Sequence, residues 1–107
     1  MTPKVLAALA TVQSRLSQQF QPLKIILFGS QATGQATPES DLDLLVVLPA
    51  VTSRRRAAIA MRRSLADLPI GKDIIVTTPE EIARRGGVVG TVLHQALTDG
   101  CVIYEQA

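Results

Sequence analysis

The chain has 107 residues and a mass of 11.4 kDa, enough for one domain spanning residues 1–107. With 47% hydrophobic and 19% charged residues it can bury an aliphatic core, while its few aromatics (Phe20, Phe28, Tyr104) argue against the stacking platforms of single-stranded nucleic-acid binders. A net charge of only +2 does not indicate direct nucleic-acid binding, the single Cys101 excludes an intramolecular disulfide and a cysteine-based zinc site, and the single His94 excludes a multi-histidine metal site.

Thr2 as N-cap and Pro3 as first helical residue open a helix whose apolar stripe runs Leu6, Leu9, Ala10, Val12, Leu16 and Phe20, and Gln21-Pro22 ends it. This start is amphipathic rather than a signal-peptide core, and no apolar run approaches a membrane span, so the expectation is a reduced, cytoplasmic protein. Leu23–Phe28 is a short apolar run stopping at Gly29, and it reads as a buried strand. Leu42–Leu48, ended by Pro49, is a second strand, and Asp73–Thr77 is a third. Between these two, Ser53 caps a helix running to about Leu68, closed by Pro69 and Gly71. Thr78-Pro79-Glu80-Glu81 opens another helix with both acids in its positive first turn, and Gly86-Gly87 breaks it. Val88–Thr98 is expected to be helical up to Gly100, and Cys101–Tyr104 to form a last, edge strand. Strands alternating with helices make an α/β domain whose mixed sheet of about four strands is flanked by helices.

The connections set the geometry. Gly29 to Ser40 is too short for a comfortable parallel crossover, so the first two strands are expected to be antiparallel. Pro49 to Lys72 holds a helix long enough for a right-handed parallel crossover. Strand one then ends where strands two and three begin, which gathers Gly29-Ser30, Asp41 and Asp73 at one edge of the sheet.

At that edge, side-chain alternation puts Asp41 and Asp43 on one face of the second strand and Leu42 and Leu44 on the other. Two neighbouring carboxylates raise each other's pKa, and on a strand that continues into Leu45-Val46-Val47-Leu48 a positive counterpart is needed. A hard divalent cation such as Mg²⁺ suits two carboxylates, although an isolated pair of acids at a strand end can also stand simply solvated. Gly29-Ser30 adds a second element: glycine admits close backbone approach to a phosphate, and the serine hydroxyl with the following N–H groups can donate to its oxygens. A bare Gly-Ser is also an ordinary strand-ending turn. The combination Gly-Ser, ten residues, Asp-x-Asp arises by chance in roughly one chain per thousand of this size. Together the two elements make a phosphate and metal site the better reading.

The stretch Ile25-Ile26-Leu27-Phe28-Gly29-Ser30-Gln31-Ala32-Thr33-Gly34, followed by Ser40-Asp41-Leu42-Asp43-Leu44-Leu45-Val46, resembles the DNA polymerase β-type nucleotidyltransferase superfamily. Within it the likeness is to the minimal nucleotidyltransferases, small prokaryotic proteins commonly encoded beside a HEPN-domain protein as antitoxin beside toxin. It extends to Val76-Thr77-Thr78-Pro79-Glu80-Glu81 and to Ala96-Leu97-Thr98-Asp99-Gly100. The resemblance implies a nucleotidyltransferase-type fold, Mg²⁺ held by Asp41 and Asp43, a triphosphate at Gly29 and Ser30, and a third carboxylate on the next strand, the position of Asp73. Asp73 also follows Gly-Lys, a combination common at turns. Where relatives often carry arginine this chain has Gln31, and where another basic residue is frequent it has Thr33, which removes positive charge beside the triphosphate.

The implied chemistry is transfer of AMP from ATP to a hydroxyl, with two Mg²⁺ ions binding the attacking oxygen and the pyrophosphate, and with Asp73 assisting deprotonation of the acceptor. No residues remain for an acceptor-binding domain, so a homodimer mate or another protein completes the site. The resemblance suggests a HEPN toxin with a tyrosine acceptor. The competing reading is an antitoxin that neutralises its partner by binding alone, with a weak or vestigial site. Nucleotidylation of an antibiotic is disfavoured because there is no substrate domain. Arg55 with Arg62, and Arg56 with Arg63, stack seven apart opposite Ala58, Met61, Leu65 and Leu68, either as a solvated face or as a basic stripe for an acidic partner or tRNA. Arg84-Arg85 suits a helix C-terminus. Lys72 reads as solvated, though within reach of a phosphate; His94 reads as structural, Cys101 as a buried apolar residue, and Tyr104 as a packing residue whose hydroxyl could itself be modified.

Overall fold

The computed structural model describes all residues, Met1–Ala107. In chain order the elements are α1 (Pro3–Phe20), β1 (Lys24–Phe28), α2 (Ser30–Thr33), β2 (Leu42–Val47), α3 (Arg54–Ser64), β3 (Lys72–Thr77), α4 (Pro79–Arg85), α5 (Val92–Asp99) and β4 (Cys101–Glu105). The strands form one sheet in the order β3-β2-β1-β4. β1 pairs antiparallel with both β2 and β4, and β2 pairs parallel with β3, as the connection lengths require. The sheet is mixed, with helices on both faces.

Each helix start has a local chemical cause. Thr2, Ser53, Thr78 and Thr91 place their hydroxyls to accept from the N–H of Val5, Arg56, Glu81 and His94, and prolines stand at the first helical positions of α1 and α4. One face of the sheet (Ile25, Leu27, Leu42, Leu44, Val46, Ile74, Val76) packs on Val5, Leu9, Val12 and Leu16 of α1 and on Ala58 and Met61 of α3. The other face (Ile26, Phe28, Leu45, with Ile75) packs on Leu93, Ala96 and Leu97 of α5. No helix is long and apolar enough to cross a membrane.

The structure departs from the sequence expectation in four places. α3 ends at Ser64, eleven residues in all, and the chain reaches β3 through turns. α5 starts at Val92 because the Thr91 hydroxyl provides the cap, so residues 88–91 form a turn instead of helix. Residues 30–33, without a helix signal in the sequence, form the short α2, held by Ala32 and Thr33 N–H donating to the Gly29 carbonyl. Cys101 is exposed, not buried, because it opens a strand that has a neighbour on one side only.

α1 is tied to the end of α3 by Arg15, whose guanidinium pairs with both Asp67 carboxylate oxygens and donates to the Ser64 carbonyl at 2.9 Å. The Arg15 hydrogen bond holds the Asp67 carboxyl below its usual range. A carboxyl depressed in the folded state stabilises above its unfolded pKa and loses that contribution as pH falls through the folded one. Arg15→Ala is therefore expected to melt below the parent at pH 7, with the difference shrinking below about pH 4. Parallel melting curves across that range check it, and a difference that persists at pH 2 would show the tie to be packing.

Candidate active site

β1 ends where β2 and β3 begin, and three aspartates meet there. In register, Phe28 lies opposite Asp43, and Asp43 lies beside Asp73. Paired residues on adjacent strands share a face, so Asp43 and Asp73 project to the side covered further along by α5. Asp41, two residues before Asp43, stands at the same strand end. Asp41 and Asp73 are exposed and Asp43 is half-buried.

Two glycines make room for these carboxylates. Gly29 has φ +73°, and a Cβ built there would fall 3.2 Å from Asp43 Cγ and overlap its Oδ2. A Cβ on Gly71 would fall 2.6 Å from Asp41 Cγ. Gly71 also fixes the entry of β2, since its carbonyl accepts from Leu42 N–H at 2.8 Å. In the sequence Gly71 reads as a helix closer and as part of the Gly-Lys turn before Asp73; the room it leaves for Asp41 depends on the pairing of β2 with β3.

Electrostatically the cluster lacks a counterion. The four ion pairs of the protein (Arg15–Asp67, Lys24–Glu105, Arg54–Glu81, Arg84–Glu80) include none of the three aspartates. Desolvation first, then the charges of Asp73 and Asp41, push the Asp43 carboxyl above its usual pKa. An all-oxygen donor set with uncompensated negative charge fits a hard divalent cation. The side chains as they stand do not converge into a closed cage of three ligands.

The remaining candidates separate clearly. Gly29 and Ser30 adjoin the aspartates, with Ser30 half-buried at the start of α2. Gln31 is buried at 8% exposure, and its Nε2 donates to the Ser40 carbonyl at 3.4 Å, which ties α2 to the residue preceding Asp41. Lys72 turns away from the site: its Nζ donates to the carbonyls of Leu68 (3.0 Å) and Ile70 (2.8 Å) and closes the turn after α3. His94 is structural, with Nδ1–H donating to the Gly86 carbonyl at 3.1 Å. Tyr104 packs against the larger core.

Residues 9–96 match the nucleotidyltransferase domain family. Among solved structures, a candidate nucleotidyltransferase from Sulfolobus solfataricus aligns over 99% of this chain and 91% of its own, with TM-score 0.58 and 16% identity. A toxin–antitoxin solved with AMP-PNP aligns over 90% of this chain and 73% of its own, with TM-score 0.54 and 22% identity. At these identities the likeness is one of fold. No curated protein matches the chain.

Proposed function

The chain belongs to the nucleotidyltransferase domain family, and from that membership and its carboxylate cluster we propose that it transfers AMP from ATP to a protein hydroxyl. The observation that carries the reading is the meeting of Asp41, Asp43 and Asp73 beside Gly29-Ser30 with no cation to balance them. Asp41 and Asp43, with Asp73, would hold Mg²⁺, two ions in the full site, which when bound neutralises phosphate charge and polarises the reacting oxygens. Gly29 gives the triphosphate close backbone approach, and Ser30 donates to a phosphate oxygen. The acceptor oxygen bonds to the α-phosphorus as the α–β bridging P–O bond breaks and pyrophosphate leaves, while the hydroxyl proton passes to an Asp73 oxygen.

In this reading residues 1–107 act as a minimal nucleotidyltransferase domain, and the acceptor is carried by a partner protein. The resemblance to minimal nucleotidyltransferases and the similarity to a toxin–antitoxin structure support a HEPN toxin as partner, a tyrosine as acceptor, an antitoxin role and a cytoplasmic setting. A second reading, neutralisation by binding alone, is favoured by Gln31 in place of arginine.

The deciding experiment incubates the chain, Mg²⁺ and ATP labelled at the α-phosphate with the product of the neighbouring gene. Label on that protein, absent with Asp43→Asn, is the expected result. A tight unlabelled complex that protects from toxicity would overturn transfer in favour of binding alone.

A further inference from the structure

Along the outer edge of β3 runs a groove of about 400 Å³ that the carboxylate site does not use. We propose that it docks an extended acidic segment of a partner protein. β3 has a strand neighbour on one side only. Its Gly71 and Thr77 carbonyls accept from Leu42 and Leu48 N–H at 2.8 and 2.9 Å, so by alternation Ile74 and Val76 turn their N–H and C=O to the free edge. No turn, loop or cap hydrogen bond engages those groups.

The walls of the groove define the occupant. Arg54 is held by Glu81, the one acid lining the groove, whose other oxygen accepts from the Thr77 hydroxyl at 2.6 Å. Arg55 and Arg85 also line it, are exposed, and take part in no ion pair. The groove is thus positively charged over an apolar floor of Ile74, Ile75 and Val76. Its rim includes Val92, 48% exposed, just past the exposed Val88 and Val89. A second copy added through the same edge would bring both sets of Arg55 and Arg85 together, which is repulsive, whereas an acidic strand with valine-sized side chains satisfies charge, backbone and apolar surface at once. The exposed valines and the absence of aromatic lining argue against a nucleic acid.

The test is an NMR titration of the full chain with a five-residue peptide alternating Glu and Val, against the same peptide with Lys for Glu and against an oligouridylate. The expected result is shifted and exchange-protected Ile74 and Val76 amides with the acidic peptide alone, and binding weakened about tenfold by Arg55→Glu with Arg85→Glu. Val92→Glu should weaken it as well, and melting curves confirm that the variants fold. Equal binding of the lysine peptide, oligouridylate shifting the same amides, a dimer that protects them without peptide, or no shifts at about 1 mM peptide would each overturn the proposal. None of these readouts involves nucleotide transfer, so failure of the docking surface and failure of the catalytic reading are told apart.

Discussion

Asp43→Asn is expected to abolish transfer while raising the melting temperature at neutral pH in metal-free buffer. The first half follows from charge. A preorganised group that stabilises charge in the transition state contributes about 3–4 kcal/mol, or 10²–10³ in rate, and a carboxylate that holds Mg²⁺ as proposed for Asp43 would supply at least one such contribution. The second half follows from the raised pKa of Asp43, whose largest cause is desolvation and whose further causes are Asp73 and Asp41. A folded-state pKa above the unfolded one means that the protonated form is favoured by folding. Its stabilising contribution is complete below the unfolded pKa and lost as pH rises through the folded one. At pH 7 the carboxylate works against the fold, and an uncharged amide of the same shape removes that penalty. Melting curves of both proteins from pH 3 to pH 7 should diverge with rising pH, with the variant above. Adding Mg²⁺ should raise the parent and leave the variant unmoved, because a ligand that binds only the folded state stabilises it by mass action. A variant that melts lower at pH 7 without metal would mean that Asp43 has a stabilising partner.

Gly29→Ala should damage both the fold and the site. At φ +73° and ψ −155° the backbone occupies a region that is essentially restricted to glycine, which costs another residue about 1–3 kcal/mol. The new methyl also overlaps the Asp43 carboxylate and forces it to rotate, and a displacement of about 1 Å at a reacting centre costs about 10² in rate. Gly71→Ala provides the contrast. Gly71 carries no positive φ, so its methyl displaces the exposed Asp41 side chain with little backbone strain. Transfer should fall in both variants, while melting falls mainly in Gly29→Ala. Equal melting losses would show that the strain at Gly29 is relieved elsewhere.

Much of this was readable from local chemistry. The caps at Thr2, Ser53 and Thr78, and the antiparallel and parallel pairings, follow from hydroxyl placement and connection length, which are local properties. The gathering of Asp41, Asp43 and Asp73 follows in turn from those pairings. What escaped depends on contacts between distant elements. Lys72 faces the carbonyls of Leu68 and Ile70 because the turn after α3 passes over it, and no spacing rule announces that. Cys101 is apolar in composition but stands on the strand that the sheet order leaves at an edge. In the sequence Gln31 marks only a missing charge, whereas the structure buries it and uses its amide to hold the Ser40 carbonyl. The close approach of the Asp43 carboxylate to Gly29, which leaves no room for a Cβ there, likewise becomes visible only once β1 and β2 are in register.

α5 is only eight residues long and covers the middle of its face, leaving Asp41 and Asp73 exposed at the end. A triphosphate seated there would have bulk water along one flank, and water is itself a competent hydroxyl. In the proposed reaction an acceptor protein that covers this flank would also exclude that water, so the share of ATP lost to hydrolysis is expected to fall when the acceptor is added.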